Sequence, residues 1–127
     1  MRKDFLNMNK ITEKIIGCAI EVHRHLGPGL LESIYENALC YEFDLNKIKY
    51  VRQMNTPIKY KNKNIGEHRL DLIVEDKVIV ELKAVNNHAP LFEAQLLSYL
   101  KMSNKKLGLL INFNVILLKD GIKRIIL

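Results

Sequence analysis

Two short apolar runs carry acids and a lysine where charge is costly. Arg69-Leu-Asp71-Leu-Ile-Val74 and Val78-Ile-Val-Glu81-Leu-Lys83-Ala-Val85 both read as strands. Side chains alternate along a strand, so Glu81 and Lys83 share one face. Burying either charge without a partner costs several kcal/mol. If the intervening turn is three residues centred on Asp76, Asp71 lies opposite Glu81 and the two carboxylates become cross-strand neighbours. A two-residue loop would put them on opposite faces unless a bulge intervened. The chemistry therefore predicts an odd loop or a bulge.

Two close carboxylates repel, and one must bind its proton more tightly unless a cation lies between them. Oxygen donors without cysteine or paired histidine suit Mg²⁺ or Mn²⁺. Such an ion, with Lys83 to orient or deprotonate a water or to stabilise developing charge, outlines phosphodiester hydrolysis. By spacing alone, a cross-strand ion-pair cluster on an exposed edge explains the pattern more simply. The apolar residues on both sides of the charges point instead to a central strand.

Other positions are compatible with a site. Gln95 and Tyr99 fall at i and i+4 of a helical pattern, hence on one face, and both side chains can hydrogen-bond a phosphate or a water. Their plainer reading is a helix boundary with Tyr99 half-buried and Gln95 solvated. Glu32 follows Gly29 by three residues and reads as an acid at the third helical position, favourable near the positive helix end. The alternative is a third carboxylate facing the metal. Tyr35 reads as a core anchor.

These residues need elements to hold them. Ile11, Ile15, Ala19, Val22 and Leu26 predict a helix over 12–26, stopped by Gly27-Pro28-Gly29. Leu31, Ile34, Tyr35, Ala38 and Leu39 predict a second over 30–46, packed beside the first. Strands are expected over 49–54, 57–61 (turning at Asn62-Lys-Asn64), 69–74 and 78–85. A helix follows over 90–102, opened by Pro90. A strand over 107–113 comes next, then a hairpin of 115–118 and 122–127 around Asp120-Gly121. The order is ααββββαββ, an α/β (α+β) sandwich of mixed sheet and helices.

Composition limits the classes. A chain of 127 residues with 48% apolar side chains suits one globular domain, residues 1–127, with 1–10 a flexible N-terminal extension. Lys and Arg exceed Asp and Glu by six, compatible with a polyanionic partner. Cys18 and Cys40 read as buried free thiols, which leaves no cysteine-rich zinc site. The N-terminus lacks the apolar region of a signal peptide and no run reaches transmembrane length, so a cytoplasmic protein with no membrane partner is expected.

Gly29-Leu-Leu-Glu32-Ser-Ile-Tyr35 resembles the signature of the bacterial and archaeal GxxExxY protein family. The resemblance extends from about Ile11 to Ile126. It includes Glu21-Val-His23, Leu26-Gly-Pro-Gly29, Arg69-Leu-Asp71, Glu81-Leu-Lys83-Ala, Glu93-Ala-Gln95-Leu-Leu-Ser-Tyr99-Leu and Leu109-Leu-Ile-Asn112-Phe113. That family is grouped with the PD-(D/E)XK nuclease superfamily. The resemblance implies a restriction-endonuclease-like core, a mixed sheet flanked by helices with the site on a hairpin.

The resemblance implies that Asp71, Glu81 and Lys83 are the acid, acid and lysine of the motif, with Leu70 in place of its Pro. Glu32 resembles the acid from a preceding helix. Gln95 and Tyr99 resemble the Q-x-x-x-Y helix of the exonuclease-like branch. The implied metal ligands are Asp71, Glu81 and the Leu82 carbonyl, with Glu32 direct or through water. The implied activity is Mg²⁺- or Mn²⁺-dependent cleavage of DNA or RNA, with Lys59, Lys61, Lys63 and Arg69 available to the backbone. The rival expectation is a nucleic-acid-binding or assembly module with a vestigial site. A small open site is also compatible with a homodimer. Glu21 and His23 do not share a helical face, and His23 reads as a packed or hydrogen-bonded histidine. His25, His68 and His88 have no ligand spacing.

Overall fold

Gly27 and Gly29 adopt φ of 68° and 98°, the region where a side chain is disfavoured, and there the first helix ends. The computed structural model describes residues 2–127, with side chains from residue 6 onward. Met1, the start of the extension expected over 1–10, lies outside the described residues. α1 (Arg2–Leu26) begins well before Thr12, and α2 (Glu32–Leu45) follows the glycine joint. Both pack on one face of the sheet: Ile15, Ala19, Val22, Tyr35, Leu39 and Phe43 are buried against Leu72, Val80, Leu82, Leu109 and Ile111.

The strands are β1 (Tyr50–Tyr60), β2 (Lys63–Val74), β3 (Val78–Lys83), β4 (Leu107–Asn112) and β5 (Ile122–Ile126). Among the described residues they form one five-stranded sheet in sequential order. β3 and β4 are parallel, joined by the crossover helix α3 (Pro90–Ser103), and the other neighbours are antiparallel. α3 covers the second face, where Leu96 and Leu100 pack on Ile73, Ile79 and Leu110. Gly108 lets α3 approach: a Cβ there would come within 2.9 Å of Leu96. This is the expected mixed sheet with helices on both faces. Cys18 and Cys40 are buried and free, and burial pushes both thiols above their usual range.

Three element expectations need correction. The strands expected over 49–54 and 57–61 are a single β1, so three strands rather than four precede α3, and with two after it the order is ααβββαββ. Pro57 does not break it because β1 is an edge strand, where a missing N–H leaves no ladder bond unmade. β2 begins at Lys63, and the turn falls on Lys61-Asn62, both with positive φ. No strand forms over 115–118: a 3₁₀ turn (Leu118–Gly121) follows, and β5 pairs directly with β4. Gly121 is required by a close approach, since a Cβ would lie 2.2 Å from the Asn112 carbonyl oxygen.

Candidate active site

Val74 pairs with Val78, so the β2–β3 turn has three residues, with Glu75 and Asp76 at φ of 54° and 56°. Continuing that register sets Asp71 opposite Glu81, but the paired ladder ends at Leu72↔Val80. Side chains take over from it. The Asp71 N–H donates to Glu81 Oε1 at 3.3 Å, and the Leu82 N–H donates to Asp71 Oδ2 at 2.9 Å.

The irregularity continues into β1. Gln53, at φ 53°, has no partner between Arg52↔Leu72 and Met54↔Leu70. Leu70 joins the cluster under α3, whereas Leu72 and Val74 face α1 and α2. Consecutive residues Leu70 and Asp71 therefore both turn toward α3, while the β1–β2 register is kept on either side and shifts only at Ile58/Lys59. The odd loop and the irregularity occur together.

Glu81 is buried, with 7% of its surface exposed. Burial, then the Asp71 charge and a side-chain hydrogen bond to Asp71, push its carboxyl from 4.5 up to about 9. At neutral pH Glu81 therefore keeps a proton beside Asp71. Lys83 does not neutralise the pair by direct contact. Its ammonium lies 4.5 Å from the centre of the Phe92 ring, and it makes no ion pair among the described residues.

The backbone around Lys83 is clasped from β4. Its carbonyl accepts the Phe113 N–H at 2.9 Å. The buried Asn112 amide holds Val85 in both directions, accepting its N–H at 3.1 Å and donating to its carbonyl at 3.0 Å.

Glu32 is the first residue of α2, not the third helical position, because the helix starts after Leu31. It is solvent-facing but lines the same cavity as Asp71, Glu81 and Lys83. Partial burial and then the Asp71 charge raise its carboxyl above the usual range. Tyr35 positions it: the fully buried ring stacks on Phe113 with centroids 4.5 Å apart. The Tyr35 hydroxyl donates to the Gly27 carbonyl at 2.5 Å and accepts the Leu30 N–H at 3.1 Å. The anchor expected at Tyr35 thus also pins the loop that presents Glu32.

Gln95 and Tyr99 reach this cavity from α3, both half-buried. His68 and Phe92 complete the wall and had no role in the sequence reading. His68 stacks on Tyr99, with centroids 3.6 Å apart and planes within 14°. Its Nε2 is buried without a hydrogen-bond partner among the described residues, and burial lowers its proton affinity. Period-two counting sets His68 and Asp71 on opposite faces; the change of face between Leu70 and Asp71 brings both to one side. Arg69 also lines the cavity, whereas Lys59, Lys61 and Lys63 are exposed farther along the β1–β2 ribbon.

The cavity measures about 170 Å³, room for a phosphate group and a few waters. Among the described residues no three His, Cys, Asp or Glu side chains cluster tightly enough to enclose a metal. Asp71 and Glu81 form the close pair, and Glu32 stands farther out. A larger groove of about 450 Å³ lies between α1 and α2, but its Glu21, Glu42 and Lys14 have no comparable buried pairing. The remaining histidines are accounted for: His23 Nε2 bonds the Val115 carbonyl at 2.8 Å, His25 meets Glu21, and His88 meets Glu93. No described helix is long and apolar enough to cross a membrane.

A mixed five-stranded sheet between helical layers, with an acidic pair at its second hairpin, defines a restriction-endonuclease-like protein. The chain belongs to the PD-(D/E)XK nuclease superfamily, whose family model matches residues 9–125. No curated protein and no solved structure matched the chain.

Proposed function

We propose that the protein is a divalent-metal-dependent nuclease that hydrolyses phosphodiester bonds of a nucleic acid. The observation that carries this reading is the Asp71–Glu81 pair at the end of the strand ladder, each carboxylate accepting a backbone N–H from the facing strand. A backbone oxygen adds to the donor set. The Lys83 carbonyl is committed to β4, so alternation directs the Leu82 carbonyl toward β2 and the gap. Two carboxylates and a carbonyl, without sulfur or imidazole, fit Mg²⁺ or Mn²⁺. A bound ion would neutralise phosphate charge and acidify a water.

The side chains divide the remaining work. Asp71 and Glu81 would hold the cation, with Glu32 lining the same cavity. Lys83 orients the attacking water and donates to the charge that develops on the phosphate. Phe92 keeps that ammonium at the cavity. Gln95 donates to a phosphate oxygen, and the His68 stack holds Tyr99 beside it. The narrower assignment to the GxxExxY family rests on the residue matches between Glu21 and Phe113.

The test is cleavage of labelled DNA and RNA with Mg²⁺ or Mn²⁺. Cutting that is lost in EDTA, in Asp71→Ala and in Lys83→Ala supports the reading. Cutting that survives both substitutions overturns it, and tight binding without cutting favours the vestigial binding module.

A further inference from the structure

β2 pairs with β3 only over Leu72–Val74, yet its pairing with β1 continues to Tyr60↔Lys63. Beyond the site the two strands therefore leave the sheet as a free ribbon. Its base rests on α3 through His68 and Tyr99. Every residue from Lys59 to Glu67 is exposed, including Tyr60 and Ile65, each with 59% of its surface accessible. A two-stranded ribbon without a buried face is marginal in water.

Its charge is one-sided. From Asn55 to Arg69 it carries Lys59, Lys61, Lys63 and Arg69 against Glu67, a net +3 of the chain's +6. The ribbon is continuous with the candidate site, since His68 and Arg69 at its base line the same cavity as Asp71.

We infer that this ribbon is a DNA-gripping arm and that the substrate of the site is double-stranded DNA. The inference rests on the nuclease reading above and deepens it. Six residues from Asn55 to Tyr60 span about 20 Å, so the tip lysines meet phosphates beyond the one at Asp71. A two-stranded ribbon fits the major groove of B-form DNA, whereas the deep, narrow major groove of duplex RNA excludes it. The competing role for the lysines is to guard the ribbon's edges against pairing with another chain.

Binding of the full chain to a 20-base-pair DNA duplex, followed by fluorescence anisotropy in Ca²⁺ across a salt series, separates these roles. About 0.9 is expected in the log–log salt slope per phosphate contact. Combined Lys59→Gln, Lys61→Gln and Lys63→Gln should therefore lower the slope by about 2.7 and weaken binding about 100-fold near 0.15 M salt. The corresponding Lys→Arg triple should bind as the unmodified protein does, and circular dichroism should show both variants folded. An RNA duplex of the same sequence and the single strands should bind more weakly.

Unchanged affinity and slope in the Gln triple, with or without new self-association, would assign the lysines to edge protection and overturn the arm. Preference for single strands or duplex RNA would overturn the substrate. In either case Asp71-dependent cutting would leave the nuclease reading standing. Failure of the unmodified protein to bind or cut any nucleic acid would remove both.

Discussion

The Leu82 N–H donates to the Asp71 carboxylate at 2.9 Å, across a gap where β2 and β3 have stopped pairing through their backbones. A strand end that would otherwise leave this donor unmatched uses it to aim a carboxylate. The same bond fixes Asp71 beside Glu81 before any ligand arrives. The site is thus built by interrupting the sheet.

Removing either functional end of this arrangement should stop cutting without unfolding the chain. Asp71→Ala and Lys83→Ala are each expected to lower metal-dependent cleavage at least about 100-fold. Gel assays paired with circular dichroism would check both halves of that statement. Comparable loss in Lys119→Ala, on the 3₁₀ turn away from the cavity, would count against the assignment.

Metal and pH should act together on stability. Glu81 keeps its proton up to about pH 9 in the fold but gives it up near 4.5 when unfolded. The native state therefore holds the extra proton between those values. Its stabilising effect is full below pH 4.5 and is lost as pH rises toward 9. A cation bound by Glu81 would replace that proton, so the rise in Tm produced by Mg²⁺ or Mn²⁺ should grow from pH 6 to pH 9. Glu81→Gln should flatten both dependences. Thermal unfolding with and without metal would measure them, and a metal shift that shrinks with rising pH would contradict the ligand role.

Tyr35→Phe should cost about 1–2 kcal/mol, because the Gly27 carbonyl and the Leu30 N–H each lose a partner next to the core. Urea denaturation would show the lower midpoint. The loop pinned by Tyr35 presents Glu32, so apparent metal affinity should weaken in the same variant. An unchanged midpoint would mean that water replaces the hydroxyl at no cost.

Gly121→Ala should destabilise by about 3 kcal/mol or more, since the added methyl meets the Asn112 carbonyl oxygen at 2.2 Å and the backbone must shift. The displaced residue is the one that clasps Val85, so the variant should also disturb the strand end carrying Lys83. A drop in Tm together with faster amide exchange at Val85 would report both effects.

Which side chains meet at the candidate site was largely readable from short-range pattern. Period two put Glu81 and Lys83 on one face, and the three residues between Val74 and Val78 aligned Asp71 with Glu81. Gln95 and Tyr99 followed from helical spacing, and the glycine joint from the two residues at positive φ. Each of these rests on steric periods that repeat within a few residues. Helical spacing was weaker at element ends: it began α1 at Thr12 and α2 at Leu30, and so misjudged where Glu32 sits in its helix.

Tertiary structure decided the rest. His68 and Asp71 share the cavity only because β2 switches face between Leu70 and Leu72, and no count along the chain announces that switch. Phe92 meets Lys83, and Asn112 holds Val85, across separations that local pattern cannot bridge. Asp120-Gly121 looked like a hairpin turn, yet its glycine answers to a carbonyl nine positions earlier in the chain. The residue types and their alternation determined which chemistry is proposed for the chain. The ends of the strand ladders, set by packing between distant segments, decided where that chemistry is assembled and which neighbours enclose it.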